Sequence, residues 1–313
     1  MSTSKTILIT GATAGIGRTT ALHLARLGHH VIASGRKPAE LARLAAEGQG
    51  LAGKLDVLSL DVTQPSSIAA AALEVDRLTG ERGLDALINN AGFGLLGPTS
   101  EISDAETRRQ YETNVFGLLN VIRAFLPAMR ARRAGRIINV SSVGGRITLP
   151  YFGVYNSTKY AVEALSDALR YELRPFGIDV VLIEPGVIRT SFEATAVAGL
   201  DSFAATPYGR ALAHYEKMSK AADRYAANPI VVARAIARAV QARRPSARYV
   251  TPRLNSAAVW LSAILPTRVW DWAMRRIGFL TPAGLELSAV PLAGPGPAEP
   301  RAASPSAGAR AAG

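Results

Sequence analysis

Thr10-Gly-Ala-Thr-Ala-Gly-Ile-Gly17 is the stretch on which the fold turns. An apolar run at residues 6–10 leads into it, and a helix-length segment at residues 17–27 leads out. A strand that enters a glycine-rich turn and leaves as a helix opens a parallel β-α-β unit. Gly11, Gly15 and Gly17 permit a tight turn, close backbone approach to a pyrophosphate, and close packing of helix on strand. The helix N-terminus then presents unpaired N–H groups and the positive end of its dipole to the phosphates. The spacing is G-x-x-x-G-x-G instead of G-x-G-x-x-G, which points to a particular branch of the dinucleotide-binding folds.

Outward from this turn, Val/Ile/Leu-rich runs alternate with helical patterns as far as residue 251. Strands are expected at residues 6–10, 30–34, 55–62, 84–89, 136–141, 178–184 and 248–251. Helices are expected at residues 17–27, 39–47, 66–78, 104–132 and 154–173, with Pro127 kinking or ending the fourth. Continuous apolar strands read as buried on both faces. The expected fold is therefore α/β, a Rossmann-type, doubly wound parallel sheet of about seven strands with helices on both faces. It would occupy residues 1–252 as one domain. Residues 253–286 would form an apolar and basic helical extension.

The 313 residues are 48% hydrophobic and 19% charged, a balance that supplies a core and excludes a wholly disordered chain. With no cysteine, disulfides, zinc–thiolate sites and cysteine nucleophiles are excluded. Residues 287–313 contain 21 Ala, Gly, Pro or Ser among 27 and no aromatic, the composition of a disordered tail. The N-terminus lacks a signal-peptide profile and no apolar run reaches 18 residues, so the expected compartment is the cytoplasm. Charge is uneven: residues 1–203 carry 21 Lys/Arg against 19 Asp/Glu, and residues 204–313 carry 15 against 5. That +10 segment reads either as a surface for an anionic partner or as solubilising charge.

The second strand ends at Ser34-Gly-Arg36-Lys37. A carboxylate at this point would accept from a ribose 2′-hydroxyl, but a guanidinium suits a 2′-phosphate. NADP is thus expected ahead of NAD, the alternative being a solvated basic turn. Further on, Tyr155 and Lys159 lie one helical turn apart on one face. A phenol titrates near ~10, and a fixed ammonium beside it favours the phenolate, giving a usable acid/base. Ser142 ends the fifth strand, at the sheet edge where such folds present functional residues, and its hydroxyl could hold a carbonyl against the phenol.

The glycine pattern, Asn89-Asn90-Ala91-Gly92, Asn114, Ser142, Tyr155, Lys159 and Pro185-Gly186 together resemble the short-chain dehydrogenase/reductase family, over about residues 5–251. Ser142-Val-Gly-Gly-Arg-Ile-Thr-Leu-Pro150 and Pro175-Phe-Gly-Ile178 are similar to its hydroxysteroid and retinol dehydrogenase branch. The resemblance implies that Tyr155 donates the proton to a carbonyl, that Lys159 lowers its pKa and binds the nicotinamide ribose, and that Ser142 holds the carbonyl oxygen. Asn114 would position a water that links Lys159 to solvent. Gly11, Thr13, Gly15, Ile16, Gly17 and Asn90 would form the cofactor cradle, and Arg36 would take the 2′-phosphate. Asp61 and Val62 would meet the adenine, and Pro185, Gly186 and Thr190 would close over the nicotinamide and phosphates. Val143, Leu149 and Phe192 would line the substrate pocket. The implied protein is a homo-oligomer that interconverts an alcohol and a ketone or aldehyde on a steroid-, retinoid- or lipid-like substrate. A non-catalytic dinucleotide sensor is the alternative, against which the intact Ser142, Tyr155 and Lys159 set speaks.

Other features carry less. His29-His30 reads as a solvated turn, and no metal site is expected. Arg130, Arg132 and Arg133 complement a helix dipole. Glu184 reads as structural. No motif supports nucleic-acid binding. Residues 253–279 hold all three tryptophans beside Arg268, Arg275 and Arg276, and read as a peripheral membrane contact, a substrate lid or an oligomer contact.

Overall fold

A computed structural model describes residues 4–222 and 226–285. Its seven strands are β1 (Thr6–Ile9), β2 (His30–Gly35), β3 (Leu55–Ser59), β4 (Ala86–Asn89), β5 (Gly135–Val140), β6 (Ile178–Pro185) and β7 (Arg248–Thr251). All neighbours are parallel, in the order β3-β2-β1-β4-β5-β6-β7. The helices are α1 (Gly15–Arg26), α2 (Pro38–Glu47), α3 (Pro65–Thr79), α4 (Asp104–Tyr111), α5 (Leu118–Arg132) and α6 (Gly153–Leu173). They continue as α7 (Ser191–Val197), α8 (Gly209–Ala222), α9 (Ile230–Gln241), α10 (Asn255–Ile264) and α11 (Thr267–Ile277). The doubly wound sheet expected from the sequence is the one observed. The tail expected at residues 287–313 lies outside the described residues.

Alternation along each strand sorts side chains onto two faces. Ile7 and Ile9 join Val31, Ala33 and Ile88 under α1 and α9, which contribute Leu24, Val232 and Ile236. Leu8 joins Ile32, Leu87 and Ile137 under α3, α5 and α6, which contribute Ile68, Val121 and Val162. Full burial of one such side chain contributes roughly 1.5–3 kcal/mol. A third apolar cluster is separate from these two and includes Leu96, Tyr151, Val154, Phe203 and Leu212, with Phe279 packed against it.

The chain order reverses between β1 and β4, where strands leave to opposite sides of the sheet. In such sheets the crevice beyond the carboxyl ends at this switch point receives ligands. The glycine turn sits there. Gly11 and Gly15 take φ of +64° and +51°, backbone that favours glycine. Gly17 meets a different limit: a Cβ there would overlap the Gly11 carbonyl oxygen and the Asn90 side-chain amide.

Three expectations are corrected. The third strand stops at Ser59 instead of residue 62, because the Asp61 carboxylate accepts from the Thr63 N–H at 3.0 Å and turns the chain. Pro127 does not end its helix. α5 runs through it to Arg132, with Leu126 and Met129 on either side of it held in the core. His29 is buried, not solvated: its Nδ1 accepts from the Lys5 N–H at 3.3 Å, and burial holds the imidazole below its usual range. The segment at residues 104–132 is helical as expected, but its turn at Glu112–Gly117 is a π-helix.

Gly17→Ala should cost about 1–3 kcal/mol through forced overpacking. Gly199→Ala, where a Cβ meets nothing within 4 Å, should leave stability unchanged. Urea denaturation of both variants checks this, and equal stability would contradict the packing argument.

Candidate active site

Tyr155 and Lys159 stand on the first two turns of α6, and both are buried. Their placement depends on Asn156, which sequence reasoning passed over. Its Nδ2 donates to the Gly144 carbonyl at 2.7 Å, and its Oδ1 accepts from the Leu149 N–H at 3.1 Å. One side chain thus fastens α6 to the 142–149 loop that carries Ser142. Its only sequence signal was an amide on the same turn as Tyr155. Ser142 Oγ accepts from the Gly144 N–H at 2.9 Å, donates to the Pro185 carbonyl at 3.4 Å, and lies near enough to the Tyr155 phenol to oppose the effect of burial on it.

Lys159 Nζ donates to the Val140 carbonyl at 2.9 Å and lies 5.8 Å from the centre of the Tyr155 ring. Burial, and not the neighbouring ammonium, dominates the phenol's pKa in this geometry. Burial pushes the phenol up to about 12, with Ser142 opposing, and burial brings Lys159 down to about 8, with the Glu163 carboxylate opposing. Desolvation dominates both groups, and the ammonium donates to a backbone carbonyl instead of the phenol. At neutral pH the phenol therefore holds its proton.

Asn114 falls in the π turn, a bulge often found at functional sites. Its Nδ2 donates to the Phe93 carbonyl at 3.0 Å and to Thr158 Oγ1 at 3.1 Å. Its Oδ1 accepts from the Phe93 N–H at 3.1 Å. Gly92 lies between Asn114 Oδ1 and Lys159 Nζ, close enough for a Cβ there to touch both. Phe192 packs edge-on against the Tyr155 ring, centroids 5.3 Å apart, and Phe152 does so from another side at 5.9 Å. Phe152 was not anticipated. Val143 and Leu149 are half-buried on the same loop as Ser142.

The cofactor side assembles around the glycine turn. Asn90 Nδ2 donates to the carbonyls of Thr10 and Gly11, each at 3.0 Å, which braces β1 against the chain after β4. Thr190 abuts Gly15, and its Oγ1 accepts from the Phe192 N–H at 3.2 Å, capping α7. Thr13 packs on Gly35, and Ile16 packs on the core under α1. Pro185 ends β6, and the Gly186 N–H donates to the Thr251 carbonyl at 3.0 Å. Asp61 turns Oδ1 onto Thr63 and Oδ2 toward Arg36, and the Val62 side chain is buried in the core.

An open cleft of about 400 Å³ beside the turn is lined by Thr13, Ala14, Arg18, Arg36, Lys37, Glu40 and Arg43. Arg36 is 69% exposed, with Asp61 3.9 Å away. Arg18 and Arg43, missed in the sequence, pair with Glu47 and Glu40; their signal was one basic residue on the first turn of α1 and one on α2. The three glycines of the turn, the α1 N-terminus and four cations fit a phosphorylated dinucleotide.

Behind Lys159, Glu163 and Glu184 share a buried pocket with Arg248. Arg248 Nη2 is 3.3 Å from Glu163 and 2.7 Å from Asp167, its Nε is 3.1 Å from Glu184, and Arg146 is 3.6 Å from Glu184. Glu184 is structural, as expected. Burial, then the Glu184 charge, pushes Glu163 up to about 7.

Comparison with known proteins agrees with this arrangement. A family model described as short chain dehydrogenase matches residues 5–200. An oxidoreductase of Escherichia coli strain K12 named YbbO, itself described as uncharacterized, is 40% identical over 267 residues, 85% of this chain and 93% of its own. The 3-ketodihydrosphingosine reductase of Bacteroides thetaiotaomicron is 36% identical over 275 residues, 86% of this chain and 96% of its own. The crystal structure of a short chain dehydrogenase/reductase from Burkholderia phymatum in complex with NAD superposes with a TM-score of 0.72 at 27% identity, covering 82% of this chain and 92% of that one.

A carboxyl that binds its proton more tightly when folded stabilises the fold below its unfolded pKa, and that contribution is lost as pH rises through the folded value. Glu163, ordinarily near 4.5, therefore lowers stability as pH rises from about 5 to 7. Glu163→Gln should remove up to ~1.4 kcal/mol per pH unit from that slope. Thermal or urea unfolding across this range checks it, and an unchanged slope would contradict it.

Proposed function

The chain belongs to the short-chain dehydrogenase family, and we propose that it is an NADP(H)-dependent oxidoreductase of an apolar, lipid-like alcohol and its ketone or aldehyde. The observation that carries this reading is the buried Tyr155 phenol, with the Ser142 hydroxyl beside it and Phe152 and Phe192 walling it. A proton donor in an aromatic pocket suits a carbonyl on a greasy carbon skeleton. The named activity of the Bacteroides relative, on a long-chain ketone, points the same way.

When bound, the dinucleotide supplies or accepts the hydride. Tyr155 gives its proton to the carbonyl oxygen as that oxygen becomes an alkoxide. Ser142 Oγ holds the same oxygen against the phenol. Lys159, near its own titration at neutral pH, binds the ribose hydroxyls and returns a proton toward Tyr155. Asn114, fixed by Phe93 and Thr158, orders the path from Lys159 to solvent. A phenol held near 12 keeps its proton at neutral pH, the state in which it can donate to a carbonyl.

Arg36, with Lys37, Arg18 and Arg43 around it, binds the 2′-phosphate. Gly11, Gly15 and Gly17 with the α1 N-terminus hold the pyrophosphate. Asp61 and Val62 meet the adenine through their backbone. Pro185, Gly186 and Thr190 flank the nicotinamide, and Val143, Leu149 and Phe192 line the substrate side. The exposed aromatics Phe116 and Tyr160 suit self-association of a cytoplasmic homo-oligomer.

The test is turnover of NADPH with long-chain, steroid and retinoid carbonyls. Tyr155→Phe should reduce kcat by ~10² or more, as removal of a general acid does, with NADPH affinity unchanged. Lys159→Ala should damage both. Near wild-type turnover by Tyr155→Phe would overturn the mechanism, and no turnover on any carbonyl with tight NADPH binding would favour the sensor reading.

A further inference from the structure

The last two helices carry an apolar surface that the fold leaves uncovered. On α10, Leu254, Trp260, Leu261 and Ile264 form one outward stripe at helical spacing, with Trp260 71% and Ile264 72% exposed. Val259, on the opposite side, is the buried residue of that helix. After the break at Pro266, α11 turns Trp270, Ala273 and Met274 inward and Val269 and Trp272 outward. Arg268, Arg275 and Arg276 share the exposed face of α11 with this pair, and the Arg276 guanidinium stacks on the Trp272 ring at 4.6 Å. Asp271 is the only acid in residues 253–285.

Helices of 10 and 11 residues span roughly 15 Å, half of a bilayer core. Among the described residues no helix is long and apolar enough to cross a membrane. Short amphipathic helices with tryptophan on one side and arginine at the border lie in the interface plane. A second copy is the poorer occupant: a two-fold contact through this face would set the three arginines of one copy against those of the other. An anionic leaflet matches them.

The patch is also continuous with the candidate active site. At one end, the Asn255 side chain packs on Gly186, the proposed nicotinamide loop. At the other, Tyr151 Oη donates to the Gly278 carbonyl at 2.5 Å, and Phe279 packs on the apolar cluster that holds Tyr151 and Val154. We propose that α10 and α11 dock the protein peripherally on an anionic lipid leaflet, so that the active-site mouth opens at the interface and an apolar substrate enters from it. Docking stands independently of the catalytic reading; delivery of the substrate rests on it.

All three tryptophans of the chain are Trp260, Trp270 and Trp272, so intrinsic fluorescence reads this segment alone. The full chain is mixed with vesicles of phosphatidylglycerol and phosphatidylcholine, or of phosphatidylcholine alone, at low and high salt. A blue shift and co-sedimentation are expected with anionic vesicles, weakened by salt. The variant R268Q/R275Q/R276Q should lose about a hundredfold of that affinity. The variant L261S/I264S should lose binding at either salt, with its unfolding curve and NADPH affinity as wild type. These two readouts are independent of turnover, so docking without activity fails the catalytic reading and not this one. Equal partition of wild type and both variants would overturn the proposal. So would a concentration-dependent dimer abolished by L261S/I264S with no shift on vesicles.

Discussion

Everything in the molecule's working half depends on how closely the first turn of α1 approaches the chain that leaves β1 and β4. α1 begins so near the Gly11 carbonyl and the Asn90 amide that no side chain fits at residue 17. This contact lets Asn90, on the chain leaving β4, reach two carbonyls at the end of β1. It fixes the mouth of the crevice at the reversal of strand order and aims the α1 N-terminus across it. The same crevice edge is where β5 and β6 deliver Ser142 and Pro185. The proposed phosphate cradle and the proposed proton donor are thus two ends of one rigid edge.

The charges behind the site are the second constraint. Glu163 and Glu184 are buried together, an arrangement that is unfavourable without cations. Arg248 at the start of β7 supplies one, and Arg146, four residues after Ser142, supplies another. This cluster ties α6, β6, β7 and the Ser142 loop to one another. It also sets the field around Lys159, whose ammonium is weakened by burial and sustained by Glu163. Loss of Arg248 would leave Glu163 without its cation, at a cost of about 3–5 kcal/mol, whereas loss of Arg146 leaves Glu184 still paired with Arg248.

The sheet was legible in the sequence because doubly buried strands leave unmistakable Val/Ile/Leu runs, and the glycine turn ordered them. Ser142, Tyr155 and Lys159 were legible because their spacing is set by one strand end and one helix face. The rest depends on contacts between distant segments. Asn156 acts by clamping a loop that only the fold brings beside it. Phe152 joins the aromatic wall because Tyr151, at φ +65°, turns the chain just before α6. His29 looks like a solvated turn until Lys5 and Gln241 close around it. The phenol's high pKa could not be read from Tyr-x-x-x-Lys, since the motif gives neighbours and not burial. Asp61 and Val62 lie just past the end of β3, where the local turn buries Val62 and leaves Asp61 facing Thr63 and Arg36.

The central claim is that this edge was built for a phosphorylated dinucleotide, with Arg36 on the 2′-phosphate. The most direct test is the pair of dissociation constants for NADPH and NADH on the wild-type chain and on Arg36→Asp, measured by fluorescence titration. A charge-assisted contact of roughly 1.5–3 kcal/mol predicts that NADPH binds wild type about ten- to hundredfold more tightly than NADH, and that the substitution removes this margin. NADH bound as tightly as NADPH by the wild type, or a margin untouched by Arg36→Asp, would contradict the account.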